Sequence, residues 1–206
     1  KSKYTFRENE LDLNELGLSF DGFVEMPADD ITMDLKFAAK QTEFKAILSL
    51  IPSVYSKDFA NVKTEGKVKL DGLAKGVMHS EKDSTKNTYP SFALNLGIEK
   101  AMFKYPSLPK SVNDINVDVH VENKKNYIDA TTIDVNKFHL NMAGNPIDMW
   151  AHVKTPISDP DLAAEIKGII DLNSVKEFIP LEKGDNMSGI VKANIATRRL
   201  ALTKTY

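Results

Sequence analysis

The chain reads as a mainly β protein with short helices (α+β), an elongated antiparallel sheet curved into a groove or half-barrel and built from an internal repeat. Three observations predict this. Apolar residues recur at every second position over most of the 206 residues, the period of strands with one buried and one wet face. Two short stretches break to helical spacing and end at proline. Finally, a twelve-residue stretch near the start matches another in the second half without a gap.

Strand character is already present in the first residues, and the stretch from Lys1 to Arg7 has no apolar core of the kind a signal peptide needs. The chain is therefore expected to be a segment of a longer protein. Ile31, Met33, Leu35 and Phe37 alternate with Thr32, Asp34 and Lys36. From Thr42 to Ile51 the pattern changes: Phe44, Ile47, Leu48 and Ile51 share one face of a helix of nearly three turns, ended by Pro52. Gly66 to Gly76 is a glycine-framed strand in which Gly72 and Gly76 mark bending or close packing. The polar stretch His79 to Thr88 reads as a mobile loop.

Phe92, Leu94, Leu96 and Ile98 form the next alternating strand, and Ile115, Val117, Val119 and Val121 the clearest one, with Asn116, Asp118, His120 and Glu122 opposite. Asn123 to Asn126 has the composition of a hairpin connection. Ile133 and Val135, then Phe138, Leu140 and Met142, continue the alternation. Val175, Phe178 and Ile179 predict a second short helix over Ser174–Ile179, with Ser174 and Glu177 spaced as a capping box and Pro180 as the stop.

The repeat sets Leu11-Asp12-Leu13-Asn14-Glu15-Leu16-Gly17-Leu18-Ser19-Phe20-Asp21-Gly22 against Ile133-Asp134-Val135-Asn136-Lys137-Phe138-His139-Leu140-Asn141-Met142-Ala143-Gly144. Asp, Asn, Leu and Gly are identical and the apolar slots are conservative. Downstream, each half passes a short helix and then a glycine-led strand, Gly66-Lys67-Val68-Lys69-Leu70 or Gly189-Ile190-Val191-Lys192-Ala193. One repeat-built segment over residues 1–206 follows, with repeats at about 9–78 and 131–200 joined by strands in 89–122. A unit that cannot cover its own apolar face leaves that work to its neighbours, to covering helices or to an apolar ligand.

Composition excludes several classes of function. Lys+Arg 27 against Asp+Glu 29 leaves a net charge of −2, so no basic field exists to hold nucleic acid. The absence of cysteine removes disulfides, thiol nucleophiles and thiolate zinc sites. No run approaches the ~20 apolar residues of a membrane-spanning helix.

The helix end Leu48-Ser49-Leu50-Ile51-Pro52 is followed by Val54-Tyr55, Asp58-Phe59 and the Gly66–Gly76 strand. Then come Tyr89-Pro90-Ser91-Phe92, Phe103-Lys104-Tyr105-Pro106-Ser107-Leu108-Pro109 and Thr155-Pro156-Ile157-Ser158-Asp159-Pro160. In this order they make nearly the whole chain resemble the C-terminal region of the AsmA family of bacterial envelope proteins, in the form found in Bacteroidetes. That resemblance implies a periplasmic body anchored in the inner membrane by an N-terminal helix outside this segment. It also implies an apolar β-groove concerned with phospholipid movement and outer-membrane homeostasis. No catalytic residue and no cofactor is implied.

The residues themselves point away from catalysis. His79, His120, His139 and His152 lie in no ligand-spaced motif; Asp118, His120 and Glu122 share a strand face and are read as a solvated polar surface rather than a metal site. No Gly-x-Ser-x-Gly elbow exists, and Asp29-Asp30, Asp159 and Asp161 sit in turn-like sequence. Lys124-Lys125 and Arg198-Arg199 are short basic pairs suited to keeping edges soluble. The expected function is a non-catalytic groove whose partners are lipid acyl chains. Its candidate contacts are Phe92, Leu94, Leu96, Ile98, Ile115, Val117, Val119, Val121, Ile133, Val135, Phe138, Leu140 and Met142. The alternative is a structural or protein-interaction module with a closed β-sandwich core under the two helices.

Overall fold

A computed structural model describes residues 2–27, 30–39, 42–50, 61–80, 87–178 and 187–198. Strands β1 (Ser2–Leu13), β2 (Leu16–Met26), β3 (Ile31–Ala39), β5 (Lys63–Met78), β6 (Ser91–Lys104), β7 (Val112–Asn123), β8 (Thr132–Met142), β9 (Asn145–Lys154), β10 (Asp161–Asp171) and β11 (Ile190–Arg198) lie side by side in that order. All neighbours are antiparallel, and the two-residue β4 (Thr42–Glu43) adds to the start of β5. The sheet is mainly antiparallel, curved and open: β1 and β11 are its edges. Among the described residues the strands pack edge to edge, and no second sheet lies against them.

Because the meander alternates direction, every connection falls at one of two ends. At one end lie the β1–β2 turn, the Ala143-Gly144 turn, helix α1 (Phe44–Leu48) between β4 and β5, and helix α2 (Leu172–Val175) between β10 and β11. Pro27, Asp30, His79, Ser80 and residues 87–90, 124–131 and 155–160 lie at the other end.

Four bulges interrupt the registers: at Glu8 in β1, Lys100 in β6, where Gly66 of β5 faces the extra residue, Asp114 in β7 and Asn136–Lys137 in β8. Bulges add a residue on one strand, increase twist and bend a sheet. Here they also keep the apolar residues in phase. Ile133 and Val135 are odd-numbered and Phe138, Leu140 and Met142 even, yet Val135 pairs Val119 and Phe138 pairs Val117, so all face one way. Neighbouring side chains hold two of these strained turns. Asp21 Oδ1 accepts from the Glu8 amide at 2.6 Å, and Asn116 Oδ1 from the Lys100 amide at 3.1 Å, where φ is 54° and 50°. At Gly66 (φ 110°) a Cβ would lie 2.4 Å from the Ala101 Cα, so only glycine allows that approach.

The two predicted helices form, but shorter than their spacing suggests. Thr42 and Glu43 pair with Val68 and Lys67 as strand, so α1 begins only at Phe44, while Ile51 and Pro52 lie outside the described residues. In α2 the expected Ser174 capping box does not start the helix. Asp171 is the N-cap, accepting from the Asn173 amide at 3.0 Å, and Ser174 Oγ turns back to donate to the Asp171 carbonyl at 2.8 Å. Val175 and Phe178 are buried as the spacing requires; Ile179 and Pro180 are outside the described residues.

The matched twelve-residue segments do not occupy equivalent elements. Leu11–Gly22 crosses the Asn14-Glu15 turn from β1 into β2, whereas Ile133–Met142 is one strand that meets Asn136-Lys137 as a bulge. Apart from the two-residue β4, the element order does recur: three strands, a short helix and a strand with a positive-φ glycine near its start or just before it, Gly66 (φ 110°) within β5 and Gly189 (φ 107°) before β11.

Two further expectations change in detail. The Asn123–Asn126 hairpin is a longer connection through a 3-10 turn at Ile128–Ala130. Its organiser is Asn123, 1% exposed, whose side-chain amide donates to the Tyr127 carbonyl and Thr131 Oγ1 at 3.0 Å each while its Oδ1 accepts from the Lys125 amide at 2.9 Å. The loop predicted from His79 to Thr88 falls largely outside the described residues, with its ends pinned by a His79–Thr88 bridge.

Candidate functional site

All thirteen candidate residues fall on one face of the sheet, and the pairings extend that face far beyond them. One row runs Phe20, Phe37, Gly72, Leu94, Val121, Ile133, Val153, Leu162 across β2 to β10. The next runs Leu70, Leu96, Val119, Val135, Ala151, Ala164. The contributions of β2, β9 and β10 were missed in the sequence, although Ile147, Met149, Ala151 and Val153 alternate plainly. Gly72 has a packing role on this face: a Cβ there would sit 2.5 Å from Phe37 Cζ, so the ring lies across the glycine.

This face divides into two halves. Phe44 from α1 and Phe178 after α2 meet over Val68, Ile98, Ala101, Val112 and Ile115, and Ile47, Leu48, Leu96, Phe103, Val117, Leu140 and Met142 pack against that cluster. Phe178 is 1% exposed and Ala101 0%. Lys110 joins this cap, pairing with Glu177 while its amide donates to the Glu177 carbonyl at 3.1 Å. Ile98 and Ile115 are thus core rather than open surface, and Leu96, Val117, Leu140 and Met142 border it.

Phe92, Leu94, Val119, Val121, Ile133, Val135 and Phe138 are only half-buried. They lie outside the capped cluster, and among the described residues no helix and no second sheet lies over this half of the face. Beyond them the loops are tied to one another. The Tyr89 amide donates to the Asn126 carbonyl at 2.8 Å, and Asp129 accepts from the Ile157 and Ser158 amides at 2.9 and 3.1 Å and from the Ser158 hydroxyl. The Ser158 bond, with those two amides, holds the Asp129 carboxyl below its ordinary range.

The opposite face is mainly polar, with Leu73, Val77, Trp150 and Ile169 exposed among its paired polar groups. Asn95 donates to Asp71 at 2.8 Å, His120 Nδ1 meets Asn95 Oδ1 at 2.6 Å, and His152 Nδ1 meets Asp134. Asp71, Asn95, His120, Asp134 and His152 are successive register partners, a polar ladder over β5 to β9. Since the Asn95 amide nitrogen donates to Asp71, its oxygen is left to accept, which places a proton on His120 Nδ1. His139 pairs with Asp148 at 2.6 Å, and Lys75 with Asp34 at 2.9 Å, raising the lysine pKa. Asp118, His120 and Glu122 share this face as expected, and among the described residues no group of three His, Asp or Glu is arranged to hold a metal ion.

What the arrangement offers chemically is therefore an apolar surface several strands wide, closed at one end, backed by a satisfied polar surface. No helix among the described residues is long and apolar enough to cross a membrane, which says nothing of strands. Comparison of the chain with family models, with curated proteins and with solved structures finds no match.

Proposed function

We propose that this chain is a non-catalytic segment of a cell-envelope protein that holds phospholipid acyl chains along the open half of its apolar face. The observation that carries the reading is the row Leu94, Val121, Ile133, Val153 and its neighbours, over which nothing lies among the described residues, beside a capped end. An exposed contiguous apolar patch of this kind marks a binding surface more often than an idle one. Each methylene buried there contributes about 0.8 kcal/mol, and without polar contacts at the acyl chain selectivity for chain type is low. The resemblance to the AsmA family supports the same function, a periplasmic location, and anchoring to the inner membrane through a region outside this segment.

Solvent extraction of the purified chain followed by mass spectrometry, together with titration of a fluorescent phospholipid, tests the reading. Co-purifying phospholipid, and saturable binding lost in Leu94→Glu and Val121→Glu variants that still fold, are the expected results. Lipid-free protein that binds no probe overturns it and leaves a structural or protein-interaction module.

A further inference from the structure

On the polar face, one glycine has no explanation in the fold itself. Gly97 stands in the middle of β6, between Lys69 of β5 and Asp118 of β7. Among the described glycines it alone has neither a positive φ nor a neighbour that an added Cβ would press, since the nearest atom, Lys69 Cβ, would lie at an ordinary 3.8 Å. Glycine weakens a strand interior, so a glycine where a side chain would fit marks a place that something else approaches closely. Here it leaves a hollow of about 370 Å³ walled by Lys69, Asp71, Asn95, Glu99, Asp118 and Lys137. Lys69 and Glu99 pair across one wall at 3.3 Å, Asp118 accepts a long bond from Asn136 at 3.4 Å, and Lys137 has no ion pair among the described residues.

The same row of the sheet continues to an aromatic ring. Asp118 is the register partner of Lys137, and the Asn136–Lys137 bulge stands opposite Trp150 of β9. Trp150 is the one tryptophan of the chain and is 38% exposed. Its indole Nε1 donates to Glu165 Oε2 at 3.2 Å while Lys167 holds Glu165 Oε1 at 2.9 Å, which fixes the ring by its polar edge. Strands spaced ~4.8 Å apart place Trp150 roughly 14 Å from Gly97 across the sheet. Both residues lie on interior strands.

This combination suits sugars. A sugar ring packs its C–H face on the electron-rich face of an aromatic ring, and each of its hydroxyls both donates and accepts. The hollow interleaves carboxylate acceptors with lysine and amide donors. Its carboxylates, Asp71, Glu99 and Asp118, outnumber its lysines, Lys69 and Lys137, which disfavours phosphate and other anions.

We propose that the row from Gly97 to Trp150 binds a neutral glycan chain laid across β6 to β9, with one sugar unit seated in the Gly97 hollow and another stacked on Trp150. The site is on the face opposite the acyl-chain surface and is independent of whether that surface holds lipid.

The lone tryptophan is its own reporter. Titration with cellotetraose, maltotetraose and chitotetraose is expected to give a saturable change in Trp150 fluorescence with at least one of them. Gly97→Val should fold with undiminished thermal stability, because a β-branched residue suits a strand, and should weaken binding more than about tenfold by filling the hollow. Trp150→Ala, followed by calorimetry, should show a similar loss, and Ile169→Ser, exposed on the same face outside the row, should show none. Fluorescence unmoved by all three sugars at tens of millimolar, a Gly97→Val variant that binds as the wild type does, or binding of a heparin tetrasaccharide in their place overturns the proposal.

Discussion

The capped and open halves of the same sheet are built from the same strands, with the same alternation of Val, Ile, Leu and Phe, yet they have different physical roles. In the capped half, Phe44 and Phe178 descend on Ile98, Ala101, Val112 and Ile115 and exclude water. In the open half, Leu94, Val121 and Ile133 have sheet neighbours on either side and nothing described above them. Alternation therefore states that a face is apolar; it does not state what covers it. Burial energy concentrates where a second layer exists, so the capped half is expected to set the stability of the molecule and the open half its binding.

The sharpest way to break this comparison is to place a charge on each half. Ile115→Asp puts an unpaired carboxylate inside the cluster and is expected to abolish cooperative folding, a loss above about 4 kcal/mol. Val121→Glu can turn its carboxylate to water and should cost no more than about 1–2 kcal/mol. Urea denaturation followed by circular dichroism measures both, and equal losses would show that the open half is sealed in solution. Truncation should show the same asymmetry with smaller numbers. Phe178→Ala is expected to cost about 3–5 kcal/mol and Phe92→Ala about 1 kcal/mol.

Backbone positions sharpen the contrast further. Gly66 and Gly189 have nearly equal positive φ, but a Cβ at Gly66 strikes Ala101 under the cap while one at Gly189 meets nothing within 4 Å. Gly189→Ala should therefore cost about 1 kcal/mol, and Gly66→Ala about 3 kcal/mol, measured by thermal unfolding.

The smallest effect belongs to the loops beyond the open half. Asp129 is held below the ordinary carboxylate range by the Ser158 hydroxyl and the Ile157 and Ser158 amides, so its carboxylate form is favoured in the folded state. The stability it contributes is present in full above pH ~4 and is lost as the pH falls through the lowered folded value. Hydrogen exchange at the Ile157 and Ser158 amides should stay slow at neutral pH and quicken only in acid. In Asp129→Ala it should be fast throughout, with global stability almost unchanged.

Much of this was legible in the chain itself. The period of two set the strands from Ile31 to Phe37 and from Ile115 to Val121, and the spacing of Val175 and Phe178 marked the residues that become core. The recurring order of strands, helix and glycine-led strand was also visible, though the twelve-residue match aligned a hairpin with a continuous strand. A tight turn and a bulge both accept an Asn followed by a polar residue, and local sequence does not separate them. The bulges at Lys100 and Asp114 were hidden for a related reason. Each is held by its place in the sheet, as Lys100 is by the neighbouring strand's Asn116, and not by a glycine that would announce it.

The sequence by itself determined an antiparallel β protein with one apolar and one polar face, because side-chain alternation follows from the geometry of a single strand. The tertiary structure decided that both helical connections fall at the same end of the sheet, so that Phe44 and Phe178 close one half of the apolar face, while among the described residues nothing lies over the other. That outcome depends on strand order and direction, and hence on contacts between residues more than a hundred positions apart in the chain.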